Sequence, residues 1–472
     1  MPGTESVAGP IAVLVVHGIG AQEPGEGVGK LLAGLDRVQP GSAAQVAHAG
    51  MCTVGGQLVR LYEVYWADLL KGGITHGAFQ MNELQSLSWF PWFNLWRGNY
   101  RNGGYSFLTL LWWCVVLPIV NFFVLFAYYG AGLVTQIVSS VNESRTEAKV
   151  RGTLWQVARE KAEKSAKLTM LDRILDEYVG DVLSYINSAG KAFHREADEP
   201  SVPPEFEHVY AKIVQRFYDQ LIKAQADGCS TIQIVAHSLG TVVAYHALSG
   251  LCFNDEARDD AQAIRAASVK VRHLYTIGSP LEKVRFFWPR LIPAAASLGG
   301  VKVGWDNFAS WFDPVAGKLR QFGAWTEVSN HRLLGGGFIR GHVVYEHSPV
   351  FLRAFTRGLC GHEIPFTRTS KERWQDFFLL IGETLLAPTA LAIVLIFGAA
   401  LFVSTVLLLP FLLSLVLRQF LPDEIWAPIT DTGSLIFGTV LFIALLLAPL
   451  IRASKVHARY WAASPVRPGA VP

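Results

Sequence analysis

The residues with the clearest chemical potential lie in the stretch Ile232-Gln233-Ile234-Val235-Ala236-His237-Ser238-Leu239-Gly240-Thr241. An apolar, β-rich run ends at a serine with small residues two places away on either side, and a helical pattern leaves it. This is the setting of a nucleophile elbow. There a strand-to-helix turn holds the serine hydroxyl at the carboxyl end of a sheet, and bulky residues at either flank would strike neighbouring backbone. Ala236 stands where the usual motif has glycine, and a methyl group is the smallest addition that position can receive. A hydroxyl attacks a carbonyl only when a base takes its proton and N–H donors stabilise the oxyanion. The expected donors are the N–H of Leu239, directly after the serine, and that of Ile19 in His17-Gly18-Ile19-Gly20, where glycine lets main chain approach a substrate. Serine among small residues also builds ordinary strand-to-helix turns, so the motif alone leaves a structural role open.

Other chemistries fit the sequence poorly. A dinucleotide-binding turn at Gly18-x-Gly20 lacks its third glycine, because Glu23 occupies that place. Five scattered cysteines without CxxC spacing point to neither a disulfide framework nor a zinc site. His342, Glu346 and His347 resemble H-x-x-E-H, but the spacing is one residue too long for that metal motif. No metal and no cofactor are therefore expected. Lys plus Arg number 41 against 38 for Asp plus Glu, and this near balance gives no basic face for a nucleic-acid partner.

The elements that must position the serine are legible as short apolar runs. Ile11–Val16, Leu58–Trp66, Thr231–Val235 and Val271–Ile277 read as strands, and helical patterns lie between them. Continuous apolar strands ended by glycine or serine turns imply an α/β fold with a mostly parallel central sheet and helices on both faces.

The combination of Val15-Val16-His17-Gly18-Ile19-Gly20, Ala236-His237-Ser238-Leu239-Gly240 and Tyr275-Thr276-Ile277-Gly278-Ser279-Pro280-Leu281 resembles the lipase and esterase branch of the α/β-hydrolases, with some similarity to DDHD-type intracellular phospholipases. The resemblance covers about residues 11–100 and 145–360. It implies an α/β-hydrolase fold and a triad in the chain order Ser, Asp or Glu, His. The family pattern of a Trp-x-Asn strand followed by Asp-Pro-Val maps the acid to Asp313, with Asp306, inside the strand, as the fallback. An aspartate before proline is also an ordinary turn residue. The family's H-x-x-Y followed by a proline and a helix maps the base to His342, with His347 and His331 as alternatives. Ser238, Asp313 and His342 then form the expected catalytic set, with Ile19 and Leu239 as the oxyanion donors.

Composition adds a second theme. Hydrophobic residues make up 51% of the 472 residues and charged residues only 17%, well below the roughly 25% of soluble domains. The excess is concentrated in three charge-free stretches, Asn102–Asn142, Thr384–Leu417 and Thr432–Ile451, each long enough to enter a bilayer. No signal peptide is expected from the Met1-Pro2-Gly3-Thr4-Glu5 start. The expected division is hydrolase domain in 1–100 and 143–376, a membrane-embedded hairpin in 101–142, a transmembrane helix pair in 377–452, and a basic tail in 453–472. The hairpin reading follows from shared membership of one sheet on both sides of the first stretch. Arg97 and Arg101 before it, and Arg145, Lys149 and Arg151 after it, put both ends on the cytoplasmic side. The expectation is an integral membrane serine hydrolase with a cytoplasmic catalytic domain, acting on a lipid or lipid-like ester. An acyltransferase with the same triad and a non-catalytic scaffold with a retired fold are the alternatives. The acyl chain, head group and oligomeric state are not written in the sequence.

Overall fold

The structure, a computed structural model, describes residues 9–18, 22–70, 90–93, 114, 182, 185–186, 188–189, 209–249, 260–288, 291–292, 303–311, 313, 315–320, 322, 328–333, 340–343 and 345–364, with the helical residues 370, 374, 377, 378, 381 and 451. The chain divides into two compact units, one from 1–75, 174–385 and 464–472, the other from 76–173 and 386–463. The expected hairpin and transmembrane pair lie outside the described residues, apart from a few isolated positions such as Cys114 and Ile451. Among the described residues no helix is long and apolar enough to cross a membrane.

The first unit is built on a seven-stranded sheet in the order β2-β3-β1-β4-β5-β6-β7. The strands are β1 (Ile11–Val16), β2 (Met51–Val54), β3 (Gln57–Val64), β4 (Thr231–His237), β5 (Val271–Ile277), β6 (Gly304–Ser310) and β7 (Val328–Leu333). Among the described residues only the β2–β3 hairpin is antiparallel; the other neighbours run parallel. All six residues of β1 are buried, as expected for a central strand covered on both faces. Val13 and Val15 join one core cluster with Leu31 and Leu35 of α1 (Glu26–Val38) and with Phe351 and Phe355 of the helix Pro349–Cys360. Side chains alternate along a strand, so Ala12, Leu14 and Val16 face the other side. There β1 packs against the helices Val209–Ala226 and Leu239–Leu248. The mostly parallel α/β architecture is thus present, with helices on both faces.

In chain order the other helices whose bounds are described are α2 (Ser42–Ala49), α3 (Val209–Ala226), α4 (Leu239–Leu248), α5 (Ala261–Ser268), α6 (Leu281–Phe287) and α7 (Pro349–Cys360). Helix α3 buries Val209, Ile213, Phe217, Leu221 and Ala224 at helical spacing and leaves its other face to solvent. All ten residues of α4 are buried, which its sequence LGTVVAYHAL permits because it carries no formally charged side chain except through its histidine. Helix α7 starts with Pro349 at its first position and ends at Gly361, whose φ of 79° closes the last turn.

Two strand ends differ from the sequence reading for a physical reason. β3 stops at Val64 rather than Trp66, because the Trp66 N–H leaves the ladder and donates to His17 Nε2 at 3.0 Å. β4 continues through His237, carrying its end to the level of the serine.

Candidate active site

Sheet register brings the candidate residues together. Val16 of β1 lies beside Ala236 of β4, and Ile277 of β5 lies beside His237, so the carboxyl ends of three parallel strands reach one level. Ser238 sits immediately past β4 with φ 53° and ψ −128°, and among the described residues it is the only non-glycine with positive φ. Such a conformation costs about 1–3 kcal/mol and persists only where its surroundings hold it. Here the Ser238 N–H donates to the Ile277 carbonyl at 3.0 Å, while the Thr241 N–H and hydroxyl donate to the Ser238 carbonyl at 2.9 and 2.7 Å. The glycine two places on has a separate cause. A Cβ on Gly240 would lie 2.3 Å from the His17 carbonyl oxygen and 2.6 Å from that of Val16. Gly18 is equally constrained, since its Cβ would come within 2.7 Å of Ser238 Cβ and 3.4 Å of Oγ. Gly18→Ala is therefore expected to displace the serine and slow its reaction with an active-site probe by about 100-fold or more, the scale that an ångström of misplacement carries. Labelling rate against thermal midpoint checks this, because the loss of reactivity should exceed any loss of stability.

The candidate base and acid arrive from distant segments. His342 Nε2 lies 2.9 Å from Ser238 Oγ, and His342 Nδ1 lies 2.8 Å from Asp313 Oδ2. An ionised carboxylate only accepts, so Nδ1 carries the proton and Nε2 presents its lone pair to the serine hydroxyl. Burial pushes the Asp313 carboxyl up, but the bonds from His342, Tyr345 and the Val315 N–H outweigh it and hold the group below its ordinary range. Oδ1 accepts the N–H groups of Val315 and Ala316 at 2.7 and 3.1 Å. Oδ2 also accepts the Tyr345 hydroxyl at 2.6 Å, and that hydroxyl in turn accepts the Ser310 N–H at 2.9 Å. Gly278, with φ 63°, forms the floor under His342, where a Cβ would stand 3.2 Å from its ring.

The acid loop is clamped by α6. Lys283 Nζ donates to the Ala316 carbonyl at 3.2 Å, the Arg320 N–H donates to Glu282 Oε2 at 3.2 Å, and Arg285 donates to the Arg320 carbonyl at 3.2 Å. Burial pushes the Glu282 carboxyl up to about 7 and the Lys283 ammonium down to about 8. A carboxyl raised in the fold favours its neutral form, so its stabilising effect is complete below the ordinary glutamate pKa and is lost as pH rises through about 7. Glu282→Gln keeps the acceptor and removes the charge. The variant is expected to match the parent near pH 4 and to unfold at a higher temperature than the parent at pH 8–9, as followed by thermal denaturation.

The two oxyanion candidates stand differently. Leu239 opens α4, so its N–H is one of the first-turn donors that no carbonyl of the helix uses. Ile19 lies outside the described residues. Its neighbour Gly18 has its carbonyl 2.7 Å from His17 Nδ1. Because His17 Nε2 accepts the Trp66 N–H, Nδ1 must hold the proton and donate it to that carbonyl. Burial lowers the His17 pKa to about 4, keeping the ring neutral.

The alternatives of the sequence reading sit elsewhere. Asp306 is inside β6, and its two oxygens meet His273 Nε2 at 2.8 Å and His331 Nε2 at 2.7 Å, a bridge across β5, β6 and β7. His347 ends the short turn Tyr345–His347, with Nδ1 buried and no hydrogen-bond partner for it among the described residues. Among the described residues no group of three or more His, Cys, Asp or Glu is placed to hold a metal ion. The sequence reading gave no role to Tyr345, although the tyrosine three places after His342 was its visible signal, nor to His237 or the α6 clamp. No protein-family model, curated protein or solved structure matches the chain.

Proposed function

We propose that this chain is a membrane-anchored serine hydrolase that cleaves a carboxylic ester of a lipid or lipid-like substrate through an acyl-enzyme. The single observation behind this reading is the unbroken hydrogen-bonded line Ser238–His342–Asp313, set on a strained turn at the carboxyl end of a parallel sheet. In the first half-reaction Ser238 Oγ bonds to the ester carbonyl carbon while its proton passes to His342 Nε2. Asp313 holds the imidazole tautomer and stabilises the imidazolium. The Leu239 and Ile19 N–H groups are the proposed oxyanion donors. Collapse of the tetrahedral species breaks the carbon–oxygen bond to the alcohol, which leaves with the proton from His342 Nε2. Water then repeats the sequence on the acyl-enzyme, giving its proton to His342 and releasing the acid and the free serine.

A membrane seat is supported by the sequence and by one exposed face of the first unit. Trp374, Phe377, Phe378 and Ile381 recur at helical spacing and are exposed by 59, 48, 64 and 39%. The three rings contact one another, so they share a face. Large apolar side chains exposed together mark an interaction surface rather than ordinary solvent contact. This face precedes the charge-free stretch Thr384–Leu417 by only a few residues.

A fluorophosphonate probe applied to membranes containing the full chain tests the proposal, followed by product analysis on vesicle-borne esters. Covalent labelling with release of free acid is expected. Transfer of the acyl group to added alcohol in preference to water would make the chain an acyltransferase, and absence of labelling would leave a scaffold.

A further inference from the structure

His342 sits in the single turn Arg340–His342 rather than in a long helix or strand, yet its ring must keep two contacts at hydrogen-bond distance. The residue before the nucleophile provides the hold. His237 Nε2 lies 2.7 Å from the main-chain carbonyl of His342, and since a carbonyl only accepts, Nε2 carries the proton and donates it. The two rings lie 5.1 Å apart, tilted by 37°. His237 is itself fixed, because β4 ends on it and it is buried to 9% exposure. Its Nδ1 faces Glu346 Oε1 at 3.9 Å, beyond hydrogen-bond reach, so among the described residues the bond to His342 is the short polar contact of this ring.

We infer that His237 is a positioning residue that clamps the main chain of His342, so that two consecutive residues at the end of β4 grip the catalytic base at its carbonyl and at its ring. The consequence is geometric. The distance from nucleophile to base is set by one rigid strand end instead of by the loop that carries His342. Without the clamp the carbonyl of His342 would be buried without its donor, and the turn would shift to find water or another partner. A displacement of the imidazole by about an ångström is enough to cost about 100-fold in reactivity.

The kinetic readout rests on the hydrolase reading, and the spectroscopic one does not. His237→Gln places an amide Nε2–H near the position of the imidazole Nε2–H, whereas His237→Leu fills similar space without a donor. Turnover of a short water-soluble ester is expected to fall about 10- to 100-fold in His237→Leu with KM within about twofold, and His237→Gln is expected to recover most of the loss. In parallel, the downfield proton resonance of His342 Nδ1–H bonded to Asp313 should persist in the parent and His237→Gln but broaden or vanish in His237→Leu. If His237→Leu does not fold, His237→Asn replaces it, since its shorter amide cannot reach the His342 carbonyl and should fail to rescue. A donor-free variant that keeps both the resonance and the turnover would overturn the clamp, as would a glutamine variant no better than leucine. A parent that shows the resonance and its dependence on His237 while failing to turn over esters would sustain the clamp and overturn the hydrolase reading instead.

Discussion

Ser238→Ala is expected to abolish covalent labelling by a fluorophosphonate and to cut ester turnover by on the order of 10⁶-fold, the scale seen when the nucleophile of a cooperating triad is removed. The variant should remain folded. Alanine must adopt the same φ of 53°, so the strain of the turn is unchanged, and the Ser238 N–H and carbonyl keep their bonds to Ile277 and Thr241. What is lost is one hydroxyl, 2.9 Å from His342 Nε2. Residual turnover above the uncatalysed rate is still expected, because backbone donors and substrate binding act without the serine. Intact-protein mass spectrometry and thermal denaturation of parent and variant together decide the matter. A variant that still takes up the probe at full rate would place the nucleophile elsewhere and end the triad assignment.

How much of this was legible in the sequence varies with the local physics. β1, β4 and β5 were readable because central parallel strands are buried on both faces and so become largely apolar runs, unbroken in β1 and interrupted by Gln233 in β4 and by Arg272 and His273 in β5. The edges were not. β7, with the sequence VSNHRL, pairs with one strand among the described residues and has a single buried residue, so it carries little apolar signature. β2 is four residues long and gains its identity from the turn to β3. Ser238 was legible because the elbow constrains residues on both sides of it, and Gly240 reports a real collision with the main chain of β1. Tyr345 was visible only as the tyrosine of H-x-x-Y and His237 only as the residue before the serine, because their bonds to Asp313 and to the His342 carbonyl join segments 32 and 105 residues apart in sequence. Asp306 shows the limit from the other side. The sequence placed Asp306 inside a strand but could not say what it meets there, whereas the structure occupies both of its oxygens with His273 and His331.

Asp313→Asn is expected to reduce turnover by about 10⁴-fold without unfolding the chain, through the tautomer of the base rather than through lost structure. The local donors dictate the orientation of the new amide. Oδ1 accepts two backbone N–H groups, from Val315 and Ala316, so the asparagine oxygen must stay on that side. Its NH₂ then replaces Oδ2 and points at His342 Nδ1 and the Tyr345 hydroxyl, both of which were donors. Two donors cannot face one another, so His342 shifts its proton to Nε2, where it meets Ser238 Oγ and cannot accept the serine proton. Flipping the amide instead would set its NH₂ against the two backbone donors, with no gain. Probe labelling should slow in proportion to turnover, and the thermal midpoint should fall far less than removal of a packed side chain would cause. Asp306→Asn supplies the contrast, since it alters the bridge between His273 and His331 within the sheet and should leave the labelling rate of Ser238 near that of the parent. If the two variants exchange behaviours, the acid of the relay is Asp306, and the short contact between His342 and Asp313 is structural.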